Sequence, residues 1–278
     1  MTAALATMHG KELAIGPSLE TALDVRVLVP PDLDTDALGT FTGEIERPAG
    51  ILETAVRKAK LGMEASGLAL GIASEGSYGP HPVVPFLPLG RELIAFVDAE
   101  RDITVHEKML TETTNFGHTA VRRAAEAAEF LDRVGFPDHA LIVRPNAKDA
   151  ENQHLHKGIR SAADLDNAIA IVCAASSDGK ARLETDMRAH MNPTRMRALA
   201  ELADRLAARL ATPCPSCACP GFGQVDAKSG LPCAACGAPT ELLAIEVFGC
   251  AACEHTERRP RADGLTSADP GQCPYCNP

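Results

Sequence analysis

The chain has 278 residues, 45% of them hydrophobic, with ten cysteines, no tryptophan and a formal net charge of −10. That length suggests about two domains, and with aromatics at only 4% the core must be built from Val, Ile, Leu and Ala. The acidic balance disfavours nucleic-acid binding, which draws most of its affinity from Lys and Arg neutralising phosphates.

No apolar run approaches the roughly 18 residues of a membrane span. Met1–Ile15 also lacks the basic start and continuous apolar stretch of a signal peptide, so a soluble, cytoplasmic protein is expected. In chain order, an apolar run Ala3–Thr7 ends in Met8-His9-Gly10-Lys11. A helix over Glu12–Leu23 follows, which Gly16-Pro17 should interrupt, and then a second apolar run, Val25–Val29. Residues 30–50 are rich in Pro, Gly, Asp and Thr and read as a long functional loop. Ile51–Ala65 predicts a helix with Leu52, Ala55, Val56, Ala59 and Met63 on one face. Strands are expected at Leu68–Ala73, Leu93–Asp98 and Ile103–His106, and a helix at His118–Val134. Leu141–Arg144 reads as a strand, followed by a polar loop to about His156, a helix near Ala162–Ala174 and a strand at Ala181–Asp186. A long helix from Pro193 to about Ala211 leads into the cysteine-rich tail. The pattern is α/β, a mixed sheet flanked by helices, with a body over 1–211 and a zinc-ribbon appendage over 212–278.

Eight cysteines form four Cys-x-x-Cys pairs: Cys214/Cys217, Cys233/Cys236, Cys250/Cys253 and Cys273/Cys276. Each pair can present two thiolates to one tetrahedral Zn²⁺, and two pairs close the shell with no position left for water. Four such pairs in series speak against a single redox dithiol. Two structural zinc sites are therefore expected. Sequential pairing (the first two pairs on one metal, the last two on the other) is preferred over a nested one, because each half resembles a rubredoxin-like ribbon. Cys173 reads as a small buried apolar residue, and Cys219 is left over. The tail carries four Lys/Arg against seven Asp/Glu, a net of −3. That disfavours DNA reading and leaves a protein partner as the expected contact.

The chemistry of the body is expected in two polar stretches. In the first, Glu53-Thr54-Ala55-Val56-Arg57-Lys58-Ala59 precedes an apolar strand ending in Ser74-Glu75-Gly76. The second is Leu183–Met196, where Asp186, Arg188, His190, Asn192 and Arg195 crowd a strand end and helix start, the place where α/β proteins present ligands. Asn192 or Thr194 capping the helix and Asp186 pairing with Arg188 are the plainer alternatives. For the first stretch the plainer reading has Glu53 solvated and Lys58 as ordinary surface charge.

Residues 3–110 resemble the inosine/xanthosine triphosphate pyrophosphatase superfamily. The likeness rests on Glu53–Ala59, on Ser74-Glu75-Gly76 and on Thr7-Met8-His9-Gly10-Lys11 in the place of a phosphate loop. It implies a Mg²⁺-dependent hydrolase of a nucleotide or related phosphorylated small molecule. Glu75, Glu53, His190 and Asp186 would be catalytic, with Glu53 and Glu75 holding the metal or a water. Thr7, His9, Lys11, His81, His118, Arg188, Asn192 and Arg195 would contact substrate. The alternative is a non-catalytic ligand-binding and zinc-ribbon adaptor protein. Over nearly its whole length the chain also resembles an uncharacterised bacterial family known only as a domain of unknown function. That likeness is carried by Ala6–Glu12, Gly39–Ile45, Ser74–Pro82, Leu183–Met196 and the terminal Cys-x-x-Cys-Asn-Pro.

Overall fold

The computed structural model describes residues 1–31, 33–35, 50–147 and 154–278, so most of the loop expected at 30–50 lies outside the described residues. The chain divides into two compact units: residues 1–100 with 106–206, and residues 101–105 with 207–278.

The first unit is mixed α/β. Its elements begin with β1 (Thr2–Leu5), α1 (Glu12–Leu23), β2 (Arg26–Leu28), α2 (Ile51–Ser66), β3 (Leu70–Pro80), β4 (Pro88–Asp98) and β5 (Ile103–Thr111), whose first residues count with the second unit. They form a five-stranded sheet in the order β2-β1-β3-β4-β5. β1 runs parallel to both β2 and β3, while β3 and β4 make a long antiparallel hairpin. β1 thus connects through α1 to one neighbour, and the chain then returns through α2 to the other. Right-handed crossovers in opposite directions put the two helices on opposite faces, which makes the carboxyl end of β1, beside the continuing strand β3, the switch point of the sheet. α2 lies on its face through small side chains, Ala55 and Ala59 against Ala6, Ala73, Ala95 and Val97.

The remainder comprises β6 (His118–Val121), α3 (Ala128–Val134), β7 (Leu141–Pro145), β8 (His156–Ile159), α4 (Ala162–Ala175), β9 (Ala181–Thr185) and α5 (Pro193–Leu210). These strands form a second, antiparallel sheet, β6-β9-β7-β8. Leu141, Val143, Ala181 and Leu183 on one face pack with Leu165, Ile169 and Val172 of α4 and Phe130 of α3.

Two local expectations give way. α1 runs through Pro17 without a break. The hydrogen bond that proline removes would have ended on the carbonyl of Leu13, a residue 75% exposed, so no buried acceptor is left unpaired by its loss. The helix expected over His118–Val134 is a strand for its first four residues, because the β-branched Thr119 and Val121 pair with Leu183 and Ala181 of β9.

The second unit contains β10 (Gly223–Ser229), β11 (Leu243–Gly249) and β12 (Thr256–Pro260), an antiparallel meander. None of the described helices is long and apolar enough to cross a membrane.

Candidate metal centres and a buried charge cluster

In the second unit the cysteines gather as Cys214, Cys217, Cys250 and Cys253, and as Cys233, Cys236, Cys273 and Cys276, with all sulfurs of a set within 4.8 Å of one another. The closest cross-pair separations, 3.6 Å for Cys217–Cys250 and 3.7 Å for Cys236–Cys273, match the edge of about 3.8 Å that a tetrahedron of 2.3 Å zinc–sulfur bonds requires. Four thiolates at that spacing fit zinc and leave no open position.

The pairing is alternate, neither sequential nor nested, which corrects the expectation. The meander is the cause. β10 and β11 are each seven residues long, and at about 3.3 Å per residue each carries the chain roughly 20 Å. Consecutive cysteine pairs therefore end up at opposite ends of the sheet, while every second pair returns to the same end. Gly223 opposite Gly249 shows the return that brings Cys250 beside Cys217.

Two of the four knuckles close on a left-handed residue after their second cysteine. Gly237 takes that place at φ +72°, with its N–H donating to the carbonyl of Cys233, and Ala218 takes it at φ +59°, donating to Cys214. A left-handed alanine costs about 1 kcal/mol. Ala218→Gly should therefore raise the midpoint of chemical denaturation of the zinc-loaded protein by that order, and Gly237→Ala should lower it, both measurable by urea titration.

In the first unit, five charged side chains converge beyond the carboxyl end of β1, along the middle of β3. Lys11 opens α1, and its buried ammonium donates to the carbonyl of Ser74 at 3.0 Å. β1 stops pairing with β3 after Ile72, so the edge carbonyl of Ser74 is open to it. Lys58 of α2, also buried, pairs with Glu75 at 2.6 Å. Arg195, in the first turn of α5 and 1% exposed, donates from Nε and Nη2 to Glu92 of β4 at 2.6 and 3.3 Å, and from Nη1 to the carbonyl of Met187 at 2.5 Å. The Tyr78 hydroxyl donates to the same Glu92 at 2.6 Å, and Arg195 lies over its ring. Glu92 sits opposite Gly76, where any β-carbon would fall about 2.5 Å from its carboxylate; Gly76 is what makes room for the pair.

Three cations thus share the cluster with two carboxylates, and each carboxylate is held by its own cation. Lys11 has no carboxylate of its own. Among the described residues the Ser74 carbonyl is the only hydrogen-bond acceptor of its ammonium, and the Ser74 hydroxyl, 1% exposed, has no partner. Burial, and next the neighbouring Arg195, lower the pKa of Lys11 to about 8. Burial, together with the charge of Glu92, raises that of Tyr78.

The other expected site residues fall in several places. Thr7, buried at the end of β1, accepts from the His9 N–H at 3.2 Å and shapes the turn into α1. His9 stacks on His190 with ring centroids 5.0 Å apart, and Gly10 faces His190, so these residues border Lys11. Burial and Arg188 lower the pKa of His190. Asp186 is fully buried and filled by Arg188 and the Gly158 N–H. Asn192 accepts from the Arg195 N–H and caps α5, with its amide bonded to Asn115. His81 accepts from the N–H groups of Val83 and Val84 at the tip of the β3–β4 hairpin. His118 lies in the other sheet opposite Glu184. Glu53 is 57% exposed and paired with Arg57, so it does not join Glu75.

Lys58, Glu92 and Tyr78 belong to the cluster and were not expected there. The signal for Glu92 was a lone acid beside the apolar run Leu93–Val97, and for Lys58 its place four residues from both Thr54 and Gly62 on the buried face of α2. Searches of curated proteins and of solved structures gave no match. The family model for DUF6671, a domain of unknown function, matches residues 58–278. That span takes in β3, β4, α5 and all eight paired cysteines, and the chain belongs to the DUF6671 family.

Proposed function

We propose that the first unit binds a phosphorylated small molecule, of nucleotide type, at the switch point beyond the carboxyl end of β1, with Lys11 as its phosphate contact. One observation carries this reading. Among the described residues, Lys11 is a buried ammonium at the start of a helix with a single backbone acceptor, the carbonyl of Ser74, whose hydroxyl has no partner. An ammonium and the free N–H groups of a helix start together attract phosphate, and a switch-point crevice is where open α/β sheets take ligands. Arg195, locked to Glu92, adds its charge from behind rather than touching the ligand. The resemblance to the pyrophosphatase superfamily points the same way.

Magnesium held by protein carboxylates does not fit this cluster. Mg²⁺ needs oxygen ligands in octahedral array, and here Glu75 is engaged by Lys58, Glu92 by Arg195, and Glu53 stands in solvent beside Arg57. Hydrolysis is the finer reading of the same pocket, with Glu75 as the acid nearest Lys58. Closed cysteine shells on an acidic tail support a structural, protein-contacting role for the second unit.

The test is a melting curve of the full chain with inorganic phosphate, pyrophosphate and a nucleoside triphosphate panel, with and without added Mg²⁺. A bound ligand at a hundred times its Kd stabilises by about 2.7 kcal/mol. At least one panel member should raise the melting temperature, and Lys11→Met should abolish the rise. No shift from any member, or an unchanged shift in Lys11→Met, overturns the binding reading. Release of phosphate or pyrophosphate that disappears in Glu75→Gln supports hydrolysis; binding without turnover leaves a ligand-binding protein.

A further inference from the structure

We propose that Lys11 is a reactive amine that forms a reversible imine with a carbonyl group of its ligand. The proposal rests on the switch-point location argued above and not on the phosphate. The two buried lysines of the cluster are an internal comparison. Lys58 is as buried as Lys11, yet it has a carboxylate partner, Glu75, at 2.6 Å. Among the described residues, the Lys11 ammonium has only a neutral carbonyl as its acceptor. The charges facing it come from every surrounding element: Arg195 from α5 and Lys58 from α2 against it, Glu75 from β3 and Glu92 from β4 in its favour. The two carboxylates are already matched to Lys58 and Arg195, so what Lys11 meets is burial and the nearby guanidinium. A desolvated lysine beside another cation is the arrangement that releases an amine as a nucleophile near neutral pH.

The step balances without any further reagent. The lone pair of Lys11 Nζ attacks the carbonyl carbon, a carbon–nitrogen bond forms, and the carbonyl electron pair moves to oxygen, which takes a proton. The resulting carbinolamine loses that oxygen as water, and the second proton of Nζ leaves as the carbon–nitrogen double bond forms. Nothing is oxidised or reduced. The hydroxyl of Ser74, on the residue whose carbonyl holds Lys11 and itself without a partner, is the group at hand for the carbinolamine oxygen.

The experiment treats the full zinc-loaded chain with pyridoxal 5′-phosphate or with pyridoxal, reduces with borohydride, and maps the modified lysine by peptide mass spectrometry. At about pH 7.5 the neutral fraction of an amine discharging near 8 exceeds that of an ordinary lysine by about two orders of magnitude. Lys11 should therefore label first, roughly tenfold or more ahead of Lys58 and the surface lysines, with a rate that climbs to about pH 8 and levels off above it. Lys11→Arg should remove that fast label while the melting temperature shows the fold intact. The mapping on the unaltered chain decides the matter even if the variant is unstable. Label scattered over surface lysines with Lys11 untouched overturns the proposal. Stabilisation by phosphate without labelling by either probe sinks the imine alone. Labelling by pyridoxal as fast as by its phosphate upholds the imine and counts against the phosphate contact.

Discussion

Stripping zinc from the protein with a chelator is expected to unfold residues 207–278 and to leave the melting of the first unit in place. Each Cys₄ set is assembled from knuckles whose contacting cysteines lie 33 to 43 residues apart in sequence, and the three-stranded meander between them has mostly exposed or half-exposed strands. Little apolar burial is available to hold it, so metal binding supplies the folding free energy, on the order of 10 kcal/mol per site. The alternate pairing adds a sharper expectation. The segment closed by Cys214–Cys217 with Cys250–Cys253 contains Cys233 and Cys236, and the segment closed by the other set contains Cys250 and Cys253. The two loops interlock through one meander, so losing either metal loosens the frame of the other. Cys236→Ser should lower zinc affinity at the intact Cys214 set as well as at its own. Native mass spectrometry should find two zinc ions per chain in the unaltered protein and, in the variant, mostly none in place of a stable single-zinc form. A persistent one-zinc species of full affinity would show the sites to be independent.

Replacing Glu92 with Ala is expected to destabilise the first unit by about 3–5 kcal/mol, because it leaves the fully buried guanidinium of Arg195 without its counter-charge. Arg195→Met should cost a similar amount by stranding the carboxylate and removing the donor to Met187. The double variant Glu92→Leu with Arg195→Met should be much less damaged than the sum of the two, since a buried ion pair exchanged for apolar residues often costs little. A double-mutant cycle in urea separates these outcomes. Additive losses would mean that Glu92 and Arg195 act independently of each other. Both variants also bear on the site: removing Arg195 takes away a cation that lowers the pKa of Lys11, so amine reactivity should fall even where the fold survives.

The candidate site shows where reading the chain stopped. Lys11, Glu75 and Arg195 were legible because a basic residue after an apolar run, an acid after an apolar strand and an arginine at a helix start are local patterns, although the strand expected to end at Glu75 runs on to Pro80. Their partners were not. Glu92 lies 103 residues from Arg195, and whether Lys58 points to solvent or to Glu75 depends on which face of α2 meets the sheet. Glu53 followed the plainer reading, paired with Arg57 one turn away on the open face of the helix, and Asp186 likewise went to its neighbour Arg188. The i to i+4 pair of Glu53 and Arg57 follows from the helix repeat, and Asp186 and Arg188 are two residues apart in the turn after β9.

The cysteine pairs mark the same division most plainly. That there are two Cys₄ sets followed from composition and spacing alone, since a Cys-x-x-Cys turn presents two thiolates to one metal in any chain. Which pairs share a metal did not follow, because the answer lies in the strands between them. Antiparallel β10, β11 and β12 return the chain by a whole strand length at every turn, and that path, absent from the spacing, joins the first pair to the third and the second to the fourth.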